Sequence, residues 1–176
     1  HAHLRHCVGH SQFRLGRKSG EKEVFWTRNQ VDHKIKMIRK HTPNDLEDLM
    51  SIWSQASTLA HPFLPEAFVK QVTSDMRNIY MPNSETWVFE EENSVVGFVS
   101  MMGSEIGGLF VLPASHSKGI GTQLVDFVAK DHTTLEVEVF EQNTIGRAFY
   151  DKYGIKLQKQ FMHNESEQVV IRLSFE

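Results

Sequence analysis

Residues 105–121, Glu105-Ile-Gly-Gly-Leu-Phe-Val-Leu-Pro-Ala-Ser-His-Ser-Lys-Gly-Ile-Gly121, place an apolar strand, a short basic glycine loop and the start of an amphipathic helix in direct succession. A helix start gathers unpaired backbone N–H groups and the positive end of the helix dipole. Glycine at such a start lets the backbone close around an anion with no Cβ in the way. The segment therefore predicts a phosphate or pyrophosphate site at a strand-to-helix turn. Two common phosphate loops do not fit. A P-loop requires Gly-Lys-Ser/Thr after four spacer residues, but Lys118 precedes Gly119 and no such tripeptide follows. A dinucleotide fingerprint requires a third glycine three residues after Gly121, where Leu124 stands.

A second block follows one strand later: Asn143-x-x-Gly146-Arg-Ala-Phe-Tyr150-x-x-x-Gly154. On a helix, positions 143, 146, 147 and 150 form one stripe, polar or small, suited to face a ligand. Ile145, Ala148, Phe149 and Tyr153 form an apolar stripe expected to face a sheet. Together the two blocks resemble the signatures of the GNAT acetyltransferase superfamily, Gln/Arg-x-x-Gly-x-Gly/Ala and Asn-x-x-Ala-x-x-Phe-Tyr. Histidine, His116, replaces the usual first residue of the loop. The resemblance covers about residues 37–176 and looks most like small bacterial single-domain members. It implies an α/β (α+β) fold: a mixed, mostly antiparallel central sheet, strands 4 and 5 splayed, helices on both faces.

The order of elements agrees with that. Met37–His41 reads as a strand. Thr42, Pro43 and Asp45 carry a helix-start signature, and Leu46, Leu49, Met50, Trp53, Ala56 and Ala60 continue at helical spacing until His61-Pro62. A second helix is predicted from Pro65 to Tyr80, with Phe68, Val69, Val72, Met76 and Ile79 on one side. Thr86–Glu91 and Val95–Met102 read as a hairpin turning at Glu92-Asn-Ser94. Then come strand 4 at Ile106–Leu112, a helix from Gly119 to Ala129, strand 5 at Thr134–Phe140, a helix at Thr144–Tyr153, and a closing hairpin, Lys156–Met162 with Gln168–Phe175.

Composition excludes several classes of protein. A formal charge of −3 argues against nucleic acid as the main partner. No apolar run approaches membrane-spanning length and no signal-peptide pattern stands at the start. The single cysteine, Cys7, excludes an internal disulfide framework and suits a reducing, cytoplasmic setting. Histidines at 1, 3, 6 and 10 lack the paired spacing of a structural zinc site, so no metal is expected. Residues 1–36 hold eight Lys/Arg against three Asp/Glu, which leaves the remainder at −8. They read as a basic extension outside a domain at 37–176; the alternative is an arm docking on that acidic domain.

The resemblance also implies a chemistry and its residues. Acetyl-CoA is the expected donor, with its pantetheine arm bonded to the backbone of Leu109, Phe110 and Val111 in the gap between strands 4 and 5. Ser117, Lys118, Gly119, Ile120, Gly121 and Thr122 would surround the pyrophosphate, and Asn143 would bond the pantetheine or the region near the sulfur. His116 reads either as a neutral phosphate donor or as a solvent-facing side chain. Tyr150 is the expected general acid for the departing thiolate, its hydroxyl held off the apolar face, and it also belongs to the donor site. For the base, Glu105 and Glu138 match positions used in different branches of the family, Glu136 shares the Glu138 face, and a water chain is a third route. The amine acceptor is expected against His61 and Phe63, with Trp53 and Trp87 left to core packing. The expected enzyme is an N-acetyltransferase acting on a protein lysine, a peptide N-terminus or a small amine, as monomer or homodimer. A non-catalytic acyl-CoA-binding module is the alternative. Removing residues 1–36 is expected to leave a cooperatively melting domain with full donor affinity, checked by calorimetry on residues 37–176.

Overall fold

Strand alternation and two helical layers organise the chain around one sheet. The computed structural model describes residues 26–27 and 35–175, so most of the basic extension, including Cys7 and the early histidines, lies outside the described residues. The strands are β1 (Lys36–Lys40), β2 (Glu85–Glu91), β3 (Ser94–Met102), β4 (Glu105–Val111), β5 (Leu135–Phe140), β6 (Lys156–His163) and β7 (Gln168–Phe175). Trp26–Thr27 adds a short antiparallel edge to β1, and the sheet then runs β1-β2-β3-β4-β5-β7-β6. Thus two residues of the expected extension pair with the sheet. Every described pairing is antiparallel except β4 with β5. The hairpin between β2 and β3 turns on Glu92 and Asn93 alone, with φ of 53° and 64°, as tight two-residue turns require.

Period-two alternation divides the core into two layers. Trp87 and Phe89 of β2 join Val99, Ile106, Val137 and Val139 on one face, against Ile120, Leu124, Val125 and Val128 of α3 (Ile120–Ala129). Val88 and Phe98 belong to the opposite cluster, packed by Leu49, Met50, Ile52 and Trp53 of α1 (Leu46–Ala60). The segment expected as one helix to Tyr80 is instead α2 (Glu66–Asp75), a π-helical turn at Met76–Tyr80 and a short turn at Met81–Asn83. Ile79, expected on its apolar side, is 52% exposed because the wider turn rotates it outward, while Met76 and Met81 stay buried. Here i, i+3 and i+4 spacing misled, since a π-turn shifts register.

Entry into α1 is pinned by charge. Arg39 of β1 binds both carboxylate oxygens of Asp45 at 2.8 and 2.9 Å and Glu90 of β2 at 2.8 Å. Asp45 also accepts from the Thr42 backbone N–H at 2.6 Å. The Arg39 hydrogen bonds hold the Asp45 carboxyl well below its ordinary pKa, against the opposing effect of burial. Its stabilisation is therefore complete above the unfolded carboxylate value and fades as pH falls below it. Asp45→Asn is expected to cost about 2 kcal/mol at pH 7 in urea unfolding, as loss of a charge-assisted pair does. The deficit against wild type should shrink below roughly pH 4; a pH-independent deficit would remove the charge from the account.

Candidate active site

Between β4 and β5 the sheet opens. Their parallel pairing covers only Glu105 with Glu136 and Ile106 with Val137. Beyond Ile106, β4 keeps its antiparallel partner β3 on one side and has no ladder on the other. The Leu112 N–H donates to Val96 O at 2.8 Å, so by alternation Phe110 is also bonded toward β3, opposite Phe98. Leu109 and Val111 then turn their N–H and C=O groups into the gap. Of the three backbone positions expected there, Phe110 is the one facing away. Its ring packs beside Phe98, with centroids 5.5 Å apart.

The gap opens into a cleft of about 1210 Å³ that runs from Glu105 and Met102 to the glycine loop. Ser117, Gly119, Ile120, Gly121 and Thr122 line it, whereas Lys118 is exposed outside its wall. Gly119 takes φ +75° as the residue before α3, and Ser117 takes φ +61°. No side chain caps the first turn of α3, so its N–H groups remain available to an anion. His116 neither joins that turn nor points to solvent: its Nε2 donates to the Val111 carbonyl at 2.9 Å. It thus satisfies one of the gap-facing groups. Gly121, which lines the cleft, also has a packing reason to be glycine. A Cβ there would lie 3.0 Å from Phe149 Cε2, so the residue sets how closely α3 approaches α4 (Thr144–Tyr153).

Helix α4 is fixed at both ends. Asn143 Oδ1 accepts from Gly146 N–H at 2.8 Å, and the N–H groups of Gly154 and Ile155 return to the carbonyls of Asp151 and Tyr150. The expected stripes are redistributed. Tyr150 is a buried member of the main core cluster, and Asn143 is buried as well. Arg147 is exposed and bonds the Glu141 carbonyl at 3.0 Å. Ile145 is exposed, while Phe149 and Tyr153 pack on the core, Tyr153 also donating to Asp126 of α3 at 2.7 Å. The Tyr150 ring is embedded in the apolar core and also lines the cleft. Burial raises its ionisation above the ordinary phenol value, so the hydroxyl keeps its proton at neutral pH.

On the other wall, His61 at the end of α1 receives Asn143 Nδ2 at 3.0 Å and contacts Ser57 Oγ through Nδ1 at 3.1 Å. Burial lowers its pKa to about 4, so it is neutral near pH 7. Phe63 packs edge-on against His61 and Phe140 but does not line the cleft. Trp53 lines the cleft from the core, and Trp87 packs on Phe127 away from it. Phe68, Phe140 and His163 complete the aromatic wall, none of them expected from sequence. Phe140 was within reach by counting two on from Glu138 along β5; the other two carry no local signal.

The two candidate bases converge on one cation. Arg172 of β7 bonds Glu138 at 2.8 Å, Glu136 at 2.6 Å and Glu105 at 3.3 Å. Three carboxylates on one guanidinium leave a local charge of −2. Glu105 and Glu138 line the cleft. Arg172 was missed because it sits in an apolar strand pattern whose register only pairing reveals, Glu138 opposite Arg172. Among the described residues no group of three or more His, Cys, Asp or Glu is placed to hold a metal, and no helix is long and apolar enough to cross a membrane.

A family model for the acetyltransferase (GNAT) domain matches residues 82–155, which span the hairpin, the gap, the loop and α4. The peptidyl-lysine N-acetyltransferase YiaC of Escherichia coli is 31% identical over 122 residues, 69% of this chain and 84% of that protein. The chain belongs to the GNAT acetyltransferase family. It is accordingly an acyltransferase of the N-acetyltransferase type. In three dimensions it resembles the solution structure of apo YjaB from Escherichia coli, with TM-score 0.73, 25% identity, and coverage of 80% of this chain and 97% of that one. It also shares the fold of a PaiA N-acetyltransferase from Thermoplasma acidophilum in complex with coenzyme A, with TM-score 0.64, 17% identity, and coverage of 80% and 99%. Within this GNAT fold, Gly121→Val is expected to destabilise by about 1–3 kcal/mol through overpacking against Phe149. Denaturant unfolding checks this, and an unchanged midpoint would mean that α4 yields freely to α3.

Proposed function

We propose that the protein transfers the acetyl group of acetyl-CoA to the ε-amino group of lysine in a peptide or protein. The observation that carries this reading is the open β4–β5 gap, which leads from an uncapped helix start to the Tyr150 ring and two carboxylates within one cleft. The residues fit the donor. Gap-facing groups of Leu109 and Val111 suit the amides of a pantetheine arm. The first turn of α3, with Ser117, Gly119, Ile120, Gly121 and Thr122 around it, suits the pyrophosphate, and Lys118 adds positive charge at the rim. Asn143 lines the same cleft as these groups and Tyr150. A thioester bound there supplies an activated acyl carbonyl.

The chain's own groups provide the rest. A gap-facing N–H of β4 polarises the carbonyl oxygen. The local charge of −2 around Arg172 attracts an ammonium, and Glu105 or Glu138 takes its proton directly or through water, each keeping one oxygen not bonded to Arg172. Tyr150, protonated at neutral pH, donates to the sulfur as negative charge develops on it. Lysine as acceptor is supported by the peptidyl-lysine N-acetyltransferase YiaC, a relative of this chain, and by this acidic mouth. The single cysteine supports a reducing, cytoplasmic setting.

Tyr150→Phe tests the assignment. It keeps the buried ring, so acetyl-CoA affinity should hold within calorimetric error. Turnover on a lysine peptide should fall by roughly 10²–10⁴-fold, the usual cost of a lost general acid. Wild-type turnover in the variant would pass proton delivery to water.

A further inference from the structure

Asn143 and His61 lie 82 positions apart, on the α4 and α1 sides of the cleft, and valence fixes the direction of every bond between them. Asn143 Oδ1 accepts the Gly146 N–H, so the amide atom turned to His61 is Nδ2, a donor only. His61 Nε2 must therefore be the unprotonated, accepting nitrogen. A neutral ring then carries its hydrogen on Nδ1, which donates to Ser57 Oγ, a buried hydroxyl on α1. Phe63 and Phe140 stand edge-on to the ring, at 5.9 and 5.3 Å between centroids, and restrict its rotation.

An amide nitrogen has two hydrogens. With Oδ1 held by Gly146 and one hydrogen held by His61, the plane of the Asn143 amide is set, and so is the direction of its second hydrogen. Asn143 lines the cleft together with Leu109, Val111 and Tyr150. We propose that His61 is a positioning residue, not a wall of the amine pocket: in its Nδ1–H tautomer it takes one Asn143 hydrogen and aims the other at an amide carbonyl of the donor's pantetheine arm, which coenzyme A also carries. The inference rests on the acetyl-CoA reading above. It assigns His61 to donor binding, although the residue belongs to the helix opposite the donor loop.

The experiment has two independent readouts on the full chain. Long-range proton–nitrogen spectra of ¹⁵N-labelled wild type should show His61 with pyrrole-like Nδ1 and pyridine-like Nε2, unchanged from about pH 5.5 to 8, where an ordinary histidine titrates. A protonated Nε2 or averaged tautomers would overturn the proposal. Calorimetry with coenzyme A should show binding about five- to tenfold weaker in His61→Ala, one hydrogen bond's worth. His61→Gln should recover most of that loss, because its amide oxygen can accept from Asn143; the KM for a lysine peptide should stay near wild type in both. Wild-type coenzyme A affinity in His61→Ala, or an effect confined to the peptide KM, would overturn it. Should His61→Ala fail to fold, His61→Gln decides alone: retained affinity supports the accepting role and lost affinity refutes it. No coenzyme A binding by wild type would overturn the donor reading and the aiming role with it, while the spectrum would still establish or refute the His61–Asn143 bond.

Discussion

The hydrogen-bond ladder between β4 and β5 stops after Ile106 and Val137, and the rest of the site depends on that interruption. Main-chain N–H and C=O groups inside a protein are costly to leave unpaired. Here Leu109 and Val111 carry such groups into a cleft instead of into a neighbouring strand. The protein itself satisfies one of them, through His116 on the Val111 carbonyl. Others remain for a ligand. The gap persists because both faces of the sheet are loaded: α3 packs on one with Ile120, Leu124 and Val125, and α1 packs on the other with Leu49, Ile52 and Trp53. Closing the strands would require both layers to repack at interior density.

Against this fixed gap, α4 acts as an indexed element. Its N-terminus is held by Asn143, its C-terminus by the return of Gly154 and Ile155 onto Asp151 and Tyr150, and its side by Phe149 against Gly121 and Tyr153 on Asp126. Three constraints on so short a helix place the Tyr150 ring without help from its own polar atom. The hydroxyl is then left to chemistry rather than to structure.

Much of this was legible in the sequence because it is local. The loop after β4, the Asn143 and Gly154 ends of α4, and most strand limits follow from glycine, capping and alternation signals that span a few residues. The misreadings were tertiary. Ile145 was expected on the stripe facing the sheet but is left outside, and Tyr150 faces the cleft while its ring is also packed in the core. Phe110 was grouped with its neighbours, yet strand phase relative to β3 turns its backbone away. Ile79 obeyed helical spacing that a π-turn abolished. His116 found a carbonyl five residues back, and Arg172 found three carboxylates on two other strands; neither is visible without pairing and register.

Arg172 also has a mechanical meaning. It reaches from β7 across β5 to Glu105 at the start of β4, on the last rungs before the two strands part. It works as a rivet at the vertex of a V. Displacement of the arms of a V grows with distance from its vertex, so a small loosening at this half-exposed ionic contact becomes a larger change of width beside Leu109 and Val111. The Arg172 contact therefore belongs to the geometry of the gap beside Leu109 and Val111 as well as to the charge of its mouth.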